Sequence, residues 1–490
     1  MSKKTSIIDD GIHRFNIFIK GDSEPKEGSE YIQWNNVKWG DEKGDIHLNF
    51  HALQGQLPSF LSPEDEDVLL VALAIAHADR RAKRGNGHAW CRDILVRIPV
   101  TSPDKWVQPI VMHALKNCLE LATRDSWQFE FYPRNKKSII GVDGGQASLP
   151  FIDAKKAMPY SDGLDSRATW DIIQPEKLLA ITIRLSPATA KTVLKNNRDI
   201  VRSWIDVMVC VGGGNHSETS YRTRSLLFFT ICAVVARRFD IDTILAPETG
   251  QGAIGAAMIP WGNDYGYYGS HPLFTRYLQT FLSHVFENES PKFEHPNVWK
   301  TKGYLLKEWA NVSGQLKEVI SETYSCSRDY LARWRGNVSD HRDHCGICPN
   351  CLLRRLALVS ANMDDIHALE NYIWKDLSKP CLEATLESMH LVEPRNNVVI
   401  HPSSKHRIER DQVVASSSFI LHRDFANMAD NRGTDRQVLF HTAQIAYGLG
   451  LEQDECLTLV RSLIQSHSEE WHGFVGKYIG RNSWFKELMG

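Results

Sequence analysis

Apolar runs of strand length punctuate the middle of the chain. Leu178-Leu-Ala-Ile-Thr-Ile-Arg-Leu185 and Trp204-Ile-Asp-Val-Met-Val-Cys-Val211 are nearly continuous, and Thr243-Ile-Leu-Ala246 is a shorter one. Between the last two lies Ser225-Leu-Leu-Phe-Phe-Thr-Ile-Cys-Ala-Val-Val-Ala-Arg-Arg238, whose length and composition predict a helix. Apolar strands alternating with helices predict an α/β fold with a parallel sheet covered on both faces. Residues 152–160 read as one more short strand, although Pro159 is unusual inside one.

The flanks are patterned differently. A polar, Gly-rich stretch at 21–44 reads as loops or hairpins. It is followed by a strong helix at 64–83, a strand at 92–100, a helix at 108–122 and a strand at 127–132. That is an α+β region, expected to form an accessory domain over 1–147 beside a core domain at 148–360. From 361 to 490 the chain reads as a mainly helical extension, clearest at 434–447 and 453–466.

At 490 residues the chain exceeds what one core organises, so two or three domains are expected. Lys+Arg 57 against Asp+Glu 59 leaves no overall basic footprint, which argues against nucleic acid as a partner. The basic cluster Arg80-Arg-Ala-Lys-Arg84 reads by default as a solvated loop, with a partner surface as the alternative. No apolar run approaches membrane-spanning length, and the polar start Met-Ser-Lys-Lys-Thr-Ser lacks a signal-peptide core; a soluble, cytoplasmic protein is expected.

Chemistry concentrates at two places. Tyr160-Ser161-Asp162-Gly163-Leu164-Asp165-Ser166 falls between a predicted strand and a predicted helix. Small residues at a helix N-terminus aim several N–H groups at one spot, and the macrodipole adds positive potential there, which suits phosphate. Ser161 and Ser166 add hydroxyl donors, and Asp165 is placed to hold a magnesium ion on a polyphosphate. The same residues also make an ordinary turn. The loops 212–214 and 247–252 fall at strand ends as well, where such sheets bind ligands.

The second place is Cys326 with Cys345-Gly-Ile-Cys348-Pro-Asn-Cys351, which is followed by Arg354 and Arg355. Three thiolates at two-residue intervals around a knuckle, with a fourth from an earlier loop, fit tetrahedral zinc in a closed structural site. An iron–sulfur cluster is the rival, and His341 or His344 is placed to replace one thiolate. The remaining cysteines (Cys91, Cys118, Cys210, Cys232, Cys381, Cys456) read as buried structural thiols.

In this order and at this separation, the loop and the knuckle resemble the QueC-like PP-loop ATP pyrophosphatases, typified by 7-cyano-7-deazaguanine synthase. The resemblance covers roughly residues 150–360. It implies an ATP site at Ser161, Asp162, Gly163, Leu164, Asp165 and Ser166, and zinc on Cys326, Cys345, Cys348 and Cys351. The segment Tyr221-Arg-Thr-Arg224-Ser-Leu-Leu-Phe looks like the family's Gly-Arg-Asn-Leu-Leu-Phe, which puts Arg224 near phosphate or an acyl-adenylate. Trp299-Lys-Thr-Lys302-Gly-Tyr-Leu-Leu resembles a family segment whose lysine stabilises departing pyrophosphate. Asp165, Ser166, Arg224 and Lys302 are thus the implied catalytic group. The family loop usually reads Ser-Gly-Gly-Leu-Asp-Ser; Asp162 in its second position sets a carboxylate beside the triphosphate, which leaves a degenerate, non-catalytic scaffold as one alternative.

The implied reaction is activation of a 7-deazaguanine carboxylate by ATP with magnesium, release of pyrophosphate, and attack by an amine. QueC-like proteins enlarged on both sides look like the QatC type of bacterial anti-phage operons. The flanks, about 145 residues before the core and about 130 after it, suggest an amine carried by a partner protein. A standalone biosynthetic enzyme using ammonia is the other alternative.

Overall fold

The structure, a computed structural model, describes residues 11–19, 35–39, 45–85, 90–135, 153–173, 178–184, 204–211, 218, 220–261, 265–287, 289–314, 316–327, 344–379, 404–430, 432–480 and 483–489. The expected 212–214 loop, His341 and Cys381 lie outside these residues. The chain is α/β and divides into two compact units. The first comprises 1–161, 174–246 and 268–295; the second comprises 162–173, 247–267 and 296–490.

The first unit is built on one ten-stranded sheet. In chain order its strands are β1 Ile12–Ile19, β2 Asn35–Trp39, β3 Ile46–Leu48, β4 Asp93–Val100, β5 Ser126–Pro133, β6 Lys156–Pro159, β7 Leu178–Arg184, β8 Trp204–Val211, β9 Thr243–Leu245 and β10 Lys292–Glu294. Their spatial order is β10-β9-β6-β7-β8-β3-β2-β1-β4-β5. Every neighbouring pair is parallel except β3 with β8, where Ile46, His47 and Leu48 face Val211, Cys210 and Val209 in antiparallel register. The sheet is therefore two parallel five-stranded halves joined at their third strands. Each half follows the same 3-2-1-4-5 order in its own chain numbering. In both halves the order reverses beside the first strand, at β1/β4 and at β6/β9, and such switch points are where open α/β sheets bind ligands.

The local sequence explains the elements. β7 is buried along its length except at Arg184, as a central parallel strand requires. The helix Pro63–Arg81 starts on a capping box, with the Ser62 hydroxyl accepting from the Asp65 N–H and the Asp65 carboxylate from the Ser62 N–H. Every residue of it from Asp65 to Asp79 is buried, because it packs on the helix Arg224–Arg238 and on the sheet. Each buried Leu or Ile there contributes about 1.5–3 kcal/mol. The helices Pro109–Thr123 and Pro272–Val285 both begin on proline and pack together. Pro159 ends β6, so its missing N–H interrupts no ladder; the next hydrogen bond comes from the Tyr160 N–H to the Ile181 carbonyl.

The hairpin expectation for 21–44 is corrected by the structure. β2 lies parallel to β1, Ile17 opposite Val37, and a parallel pair needs a crossover rather than a tight turn. The intervening 20–34 lies outside the described residues.

The second unit is helical. The helices Leu164–Ile173, Lys302–Val312 and Pro349–Ser360 pack in series, joined by a core of Leu164, Ala168, Leu305, Leu306, Trp309, Ala357 and Leu358. Ser404–Asn427, Asp435–Leu449 and Gln453–Tyr478 complete it, the last running three turns beyond the expected 466. Phe419, Trp471, Phe474 and Phe485 share one buried cluster with Cys345, Cys348 and Cys351. No described helix is long and apolar enough to cross a membrane.

Candidate functional site

The four cysteines meet. Cys326, Cys345, Cys348 and Cys351 are all buried, and their sulfur atoms lie within 4.8 Å of one another. A tetrahedral zinc with about 2.3 Å metal–sulfur bonds has sulfur–sulfur edges of about 3.8 Å. The Cys345–Cys351 separation is 3.8 Å. A four-iron cluster, with a different iron under each thiolate, needs more room; this set suits a single ion and could bind zinc.

The knuckle's backbone supplies the surroundings that thiolates need. The Cys345 N–H points at the Cys326 sulfur at 3.5 Å, and the Ile347 and Cys348 N–H groups at the Cys345 sulfur at 3.5 and 3.2 Å. Burial alone would raise the Cys348 thiol, but hydrogen bonds from Cys326, Cys345 and Cys351 pull it well below the usual value. Gly346 turns the chain at φ +82°, and a Cβ there would sit 2.7 Å from both the Arg355 guanidinium and the Trp374 carbonyl. Arg355 is fully enclosed and donates to the Gly346, Trp374 and Lys375 carbonyls. Arg354 forks onto Glu370 at 2.7 and 2.8 Å and donates to Thr323 and the Ile320 carbonyl. His344 is no ligand: its Nε2 accepts the Ser325 N–H, and its ring stacks on Tyr324.

The loop after β6 behaves as expected of a helix start. Leu164 anchors the helix Leu164–Ile173 in the core, and the Ser166 hydroxyl donates back to the Gly163 carbonyl at 3.1 Å. The Asp162 carbonyl accepts the Tyr324 N–H at 2.7 Å, which ties the loop to the segment carrying Cys326. Ser161 is exposed at the end of the first unit.

Asp165 and Lys302, 137 residues apart, form a buried ion pair, with the ammonium 2.7 Å from Oδ1 and 2.8 Å from Oδ2. Only 6% and 8% of the two residues remain exposed. The Thr249 N–H and hydroxyl both point at Oδ2 from 3.5 Å, at the outer limit of hydrogen bonding. Asp165 and Thr249 belong to segments that leave the adjacent strands β6 and β9 at their carboxyl ends.

Behind Lys302 runs a hydrogen-bonded circuit that the sequence did not announce. Gln251, in a π-helical turn at Gln251–Gly255, accepts the Lys302 N–H on Oε1 at 2.7 Å. Its amide group donates to His467 Nδ1 at 2.8 Å and to Glu470 at 3.2 Å. The Thr301 hydroxyl caps the helix Lys302–Val312 by accepting from the Tyr304 N–H, and donates to Glu470 at 2.5 Å. Burial lowers His467 to about 3, so the ring is neutral; with Nδ1 accepting, Nε2 carries the proton and donates to the His422 carbonyl. Burial pushes the Glu470 carboxyl up to about 7, against hydrogen bonds from Thr301 and Gln251.

Arg224 is placed differently. It belongs to the first unit and is exposed in the first turn of the helix Arg224–Arg238, so it is not one of the buried residues around Asp165. The residue before it is held firmly: Asp79 accepts both the N–H and the hydroxyl of Thr223 at 2.9 Å. Asp79 in turn pairs with Arg92, and Asp125 pairs with both Arg92 and Arg84. This corrects the reading of 80–84 as a solvated loop: Arg80 and Arg81 end the helix Pro63–Arg81, and Ala82 and Arg84 are buried. Arg84 is buried because Asp125 takes its guanidinium in a two-pronged contact at 2.8 Å that offsets desolvation. Cys91 is likewise exposed rather than buried, whereas Cys118, Cys232 and Cys456 are buried.

Thr249, Gln251, His467 and Glu470 were missed because no local spacing marks them. Only the Gly-rich segment 247–252 at a strand end hinted at the first two. The chain matches no family model, and comparison with curated proteins and with solved structures returns no match.

Proposed function

We propose that this chain is a QueC-like PP-loop enzyme. In this reading it spends ATP to adenylate a 7-deazaguanine carboxylate and passes the acyl group to an amine on a partner protein, as part of a bacterial anti-phage system. The observation that carries the reading is the buried Asp165–Lys302 pair at the start of the helix that follows the β6 loop. A buried lysine answered by one carboxylate is a cation that a polyphosphate can recruit, and it lies beside a helix N-terminus already suited to phosphate. In the chain, the segments that carry Asp165 and Thr249 come directly after β6 and β9.

A carboxylate is a poor electrophile, and AMP is a good leaving group; adenylation bridges the two. Asp165 would hold magnesium on the polyphosphate, Lys302 would take the charge of departing pyrophosphate, and Ser161, Ser166 and the loop N–H groups would orient the α-phosphate. Arg224 would supply a planar, two-pronged donor. Zinc on the four cysteines would take no part in this chemistry; Cys326, Cys345, Cys348 and Cys351 would hold it, and with it the segment that pins the Asp162 carbonyl through Tyr324.

The test supplies the protein with ATP, magnesium, 7-carboxy-7-deazaguanine and ammonium, with and without the product of a neighbouring gene. AMP release and a deazaguanine mass added to that protein are expected. Free 7-amido- or 7-cyano-7-deazaguanine formed efficiently without the neighbour, and no mass added in its presence, would return the chain to biosynthesis. No AMP under any condition would leave the scaffold alternative.

A further inference from the structure

The C-terminal helix Gln453–Tyr478 lies well outside the 150–360 segment that carries the resemblance, yet it reaches the start of the helix that bears Lys302. Glu470 makes two hydrogen bonds there, one from the Thr301 hydroxyl and one from the Gln251 amide, and Gln251 holds the Lys302 N–H. Each member of this circuit has one permitted role. Gln251 must present Oε1 to the Lys302 N–H and its amide hydrogens to His467 and Glu470. The neutral His467 must accept on Nδ1, because Nε2 is committed to the His422 carbonyl. A fully satisfied network of this kind, buried at Gln251, Thr301, Lys302 and His467 and half-buried at Glu470, fixes one geometry.

The backbone has been shaped to admit the carboxyl group. Residue 303 is glycine, and a Cβ there would stand 2.5 Å from Glu470 Oε1 and 2.8 Å from the Ser360 Cβ. The helix itself is anchored on both sides of the contact. Val460, Leu463 and Ile464 are buried against Ala253 and Ile254 of the segment that carries Gln251, and Trp471, Phe474 and Val475 are buried in the cluster that includes Cys345, Cys348 and Cys351.

We infer that Glu470 is a positioning residue for Lys302, acting through Gln251 and Thr301, so that the C-terminal helix is an integral part of the candidate active site. The inference rests on the reading of Lys302 as the cation that meets pyrophosphate. Displacing an oriented charge by about 1 Å is enough to lower turnover about a hundredfold while ground-state binding survives.

The experiment compares full-length wild type with Glu470→Leu, which removes both acceptors but keeps bulk, and with Glu470→Gln, which keeps one acceptor. Thr301→Val serves as a second, milder break should Glu470→Leu fold poorly. AMP release is measured across ATP concentrations, together with the thermal midpoint. Glu470→Leu is expected to lose about a hundredfold in kcat with KM for ATP within about threefold, and Glu470→Gln to recover most of it. A merely structural part would instead lower the midpoint and leave kcat per folded molecule unchanged, and that outcome overturns the inference. Amide hydrogen exchange of Lys302 is followed in parallel because it needs no turnover. If wild type releases no AMP, the proposed function fails by itself, and the positioning claim is decided by exchange. Glu470→Leu should speed exchange at Lys302 by about tenfold, and an unchanged rate overturns it.

Discussion

The two halves of the sheet share a strand order and differ in what lies just past two of their strand ends. In the first half, the residues just past β4 and β5 are closed off by the helix that follows the third strand. The half-buried Thr101 bonds to Asp67 through its N–H and hydroxyl, and Arg134 pairs with Asp67 at 2.9 Å and with Glu66 at 3.1 Å, these last three all buried. That helix start carries three acids in its first turn and satisfies its own N–H groups through Ser62 and Asp65, so it offers nothing to an anion. In the second half, the segments after β6 and β9 carry Asp165 and Thr249. There, among the described residues, one lysine answers one carboxylate, and Thr249 approaches only to 3.5 Å. The same topology supports a sealed structural joint in one place and an under-committed charge pair in the other. Burial of an ion pair is therefore not by itself the mark of a site.

Metal removal sharpens the comparison most. If the knuckle bears the structural load of the helical unit, stripping zinc or replacing Cys348 with Ser should unfold that unit. Structural zinc contributes on the order of 10 kcal/mol in small zinc domains. Proteolysis should then spare the sheet unit and digest the helical one. Elemental analysis showing iron, or no metal, would remove this load from the knuckle.

Next comes the sealed joint. Arg134→Met strands Glu66 and Asp67 together in the interior and should destabilise the fold by about 3–5 kcal/mol in denaturant titration, with AMP release per folded molecule unchanged. Loss of turnover at unchanged stability would mean that the joint past β4 and β5 is also a working site, and the contrast would collapse.

The half-buried acid behind Lys302 gives a smaller, pH-dependent effect. Glu470 titrates at about 7 in the fold against 4.5 as an ordinary glutamate, because it is desolvated. A raised carboxyl stabilises the fold where it is protonated, so its contribution is present below pH 4.5 and lost as pH rises through about 7. The full difference is about 3 kcal/mol. Wild type should therefore lose more stability than Glu470→Gln between pH 5 and pH 8. Parallel unfolding curves for the two proteins across that range would contradict it.

Much of this was legible in the sequence. The long strands and the helices at 64–83 and 225–238 followed from apolar runs whose length and composition fit one element, and the cysteine spacing led directly to a four-thiolate cluster. β1 and β2 were missed because their apolar positions alternate with polar ones over short spans beside Gly-rich stretches. The joining of the two half-sheets rests on three residues of β3 against β8, a register that no local pattern states. The circuit from Gln251 to Glu470 was invisible for the same reason: its members are 51 to 219 residues apart in their bonds, and polar residues inside an amphipathic helix look like surface until the fold buries them.

The smallest effect concerns Asp162. Replacing it with Gly removes a carboxylate from the phosphate loop while keeping the main-chain carbonyl that accepts from Tyr324. Calorimetry should show ATP–magnesium binding a few-fold tighter, about 1 kcal/mol. Weaker binding would mean that the Asp162 carboxylate serves the site.

The central claim is that Asp165 and Lys302 form the working charge pair of an adenylating site. It is tested most directly by exchange of labelled pyrophosphate into ATP, which reads adenylate formation and its reversal without any acceptor amine. Wild type should catalyse exchange only when 7-carboxy-7-deazaguanine and magnesium are both present. Lys302→Met strands the buried Asp165 and should cost about 3–5 kcal/mol of stability, so exchange is read per folded molecule, where it should fall by at least about a hundredfold. Exchange by Lys302→Met at the wild-type rate, or none by wild type with the acid present, would contradict the account.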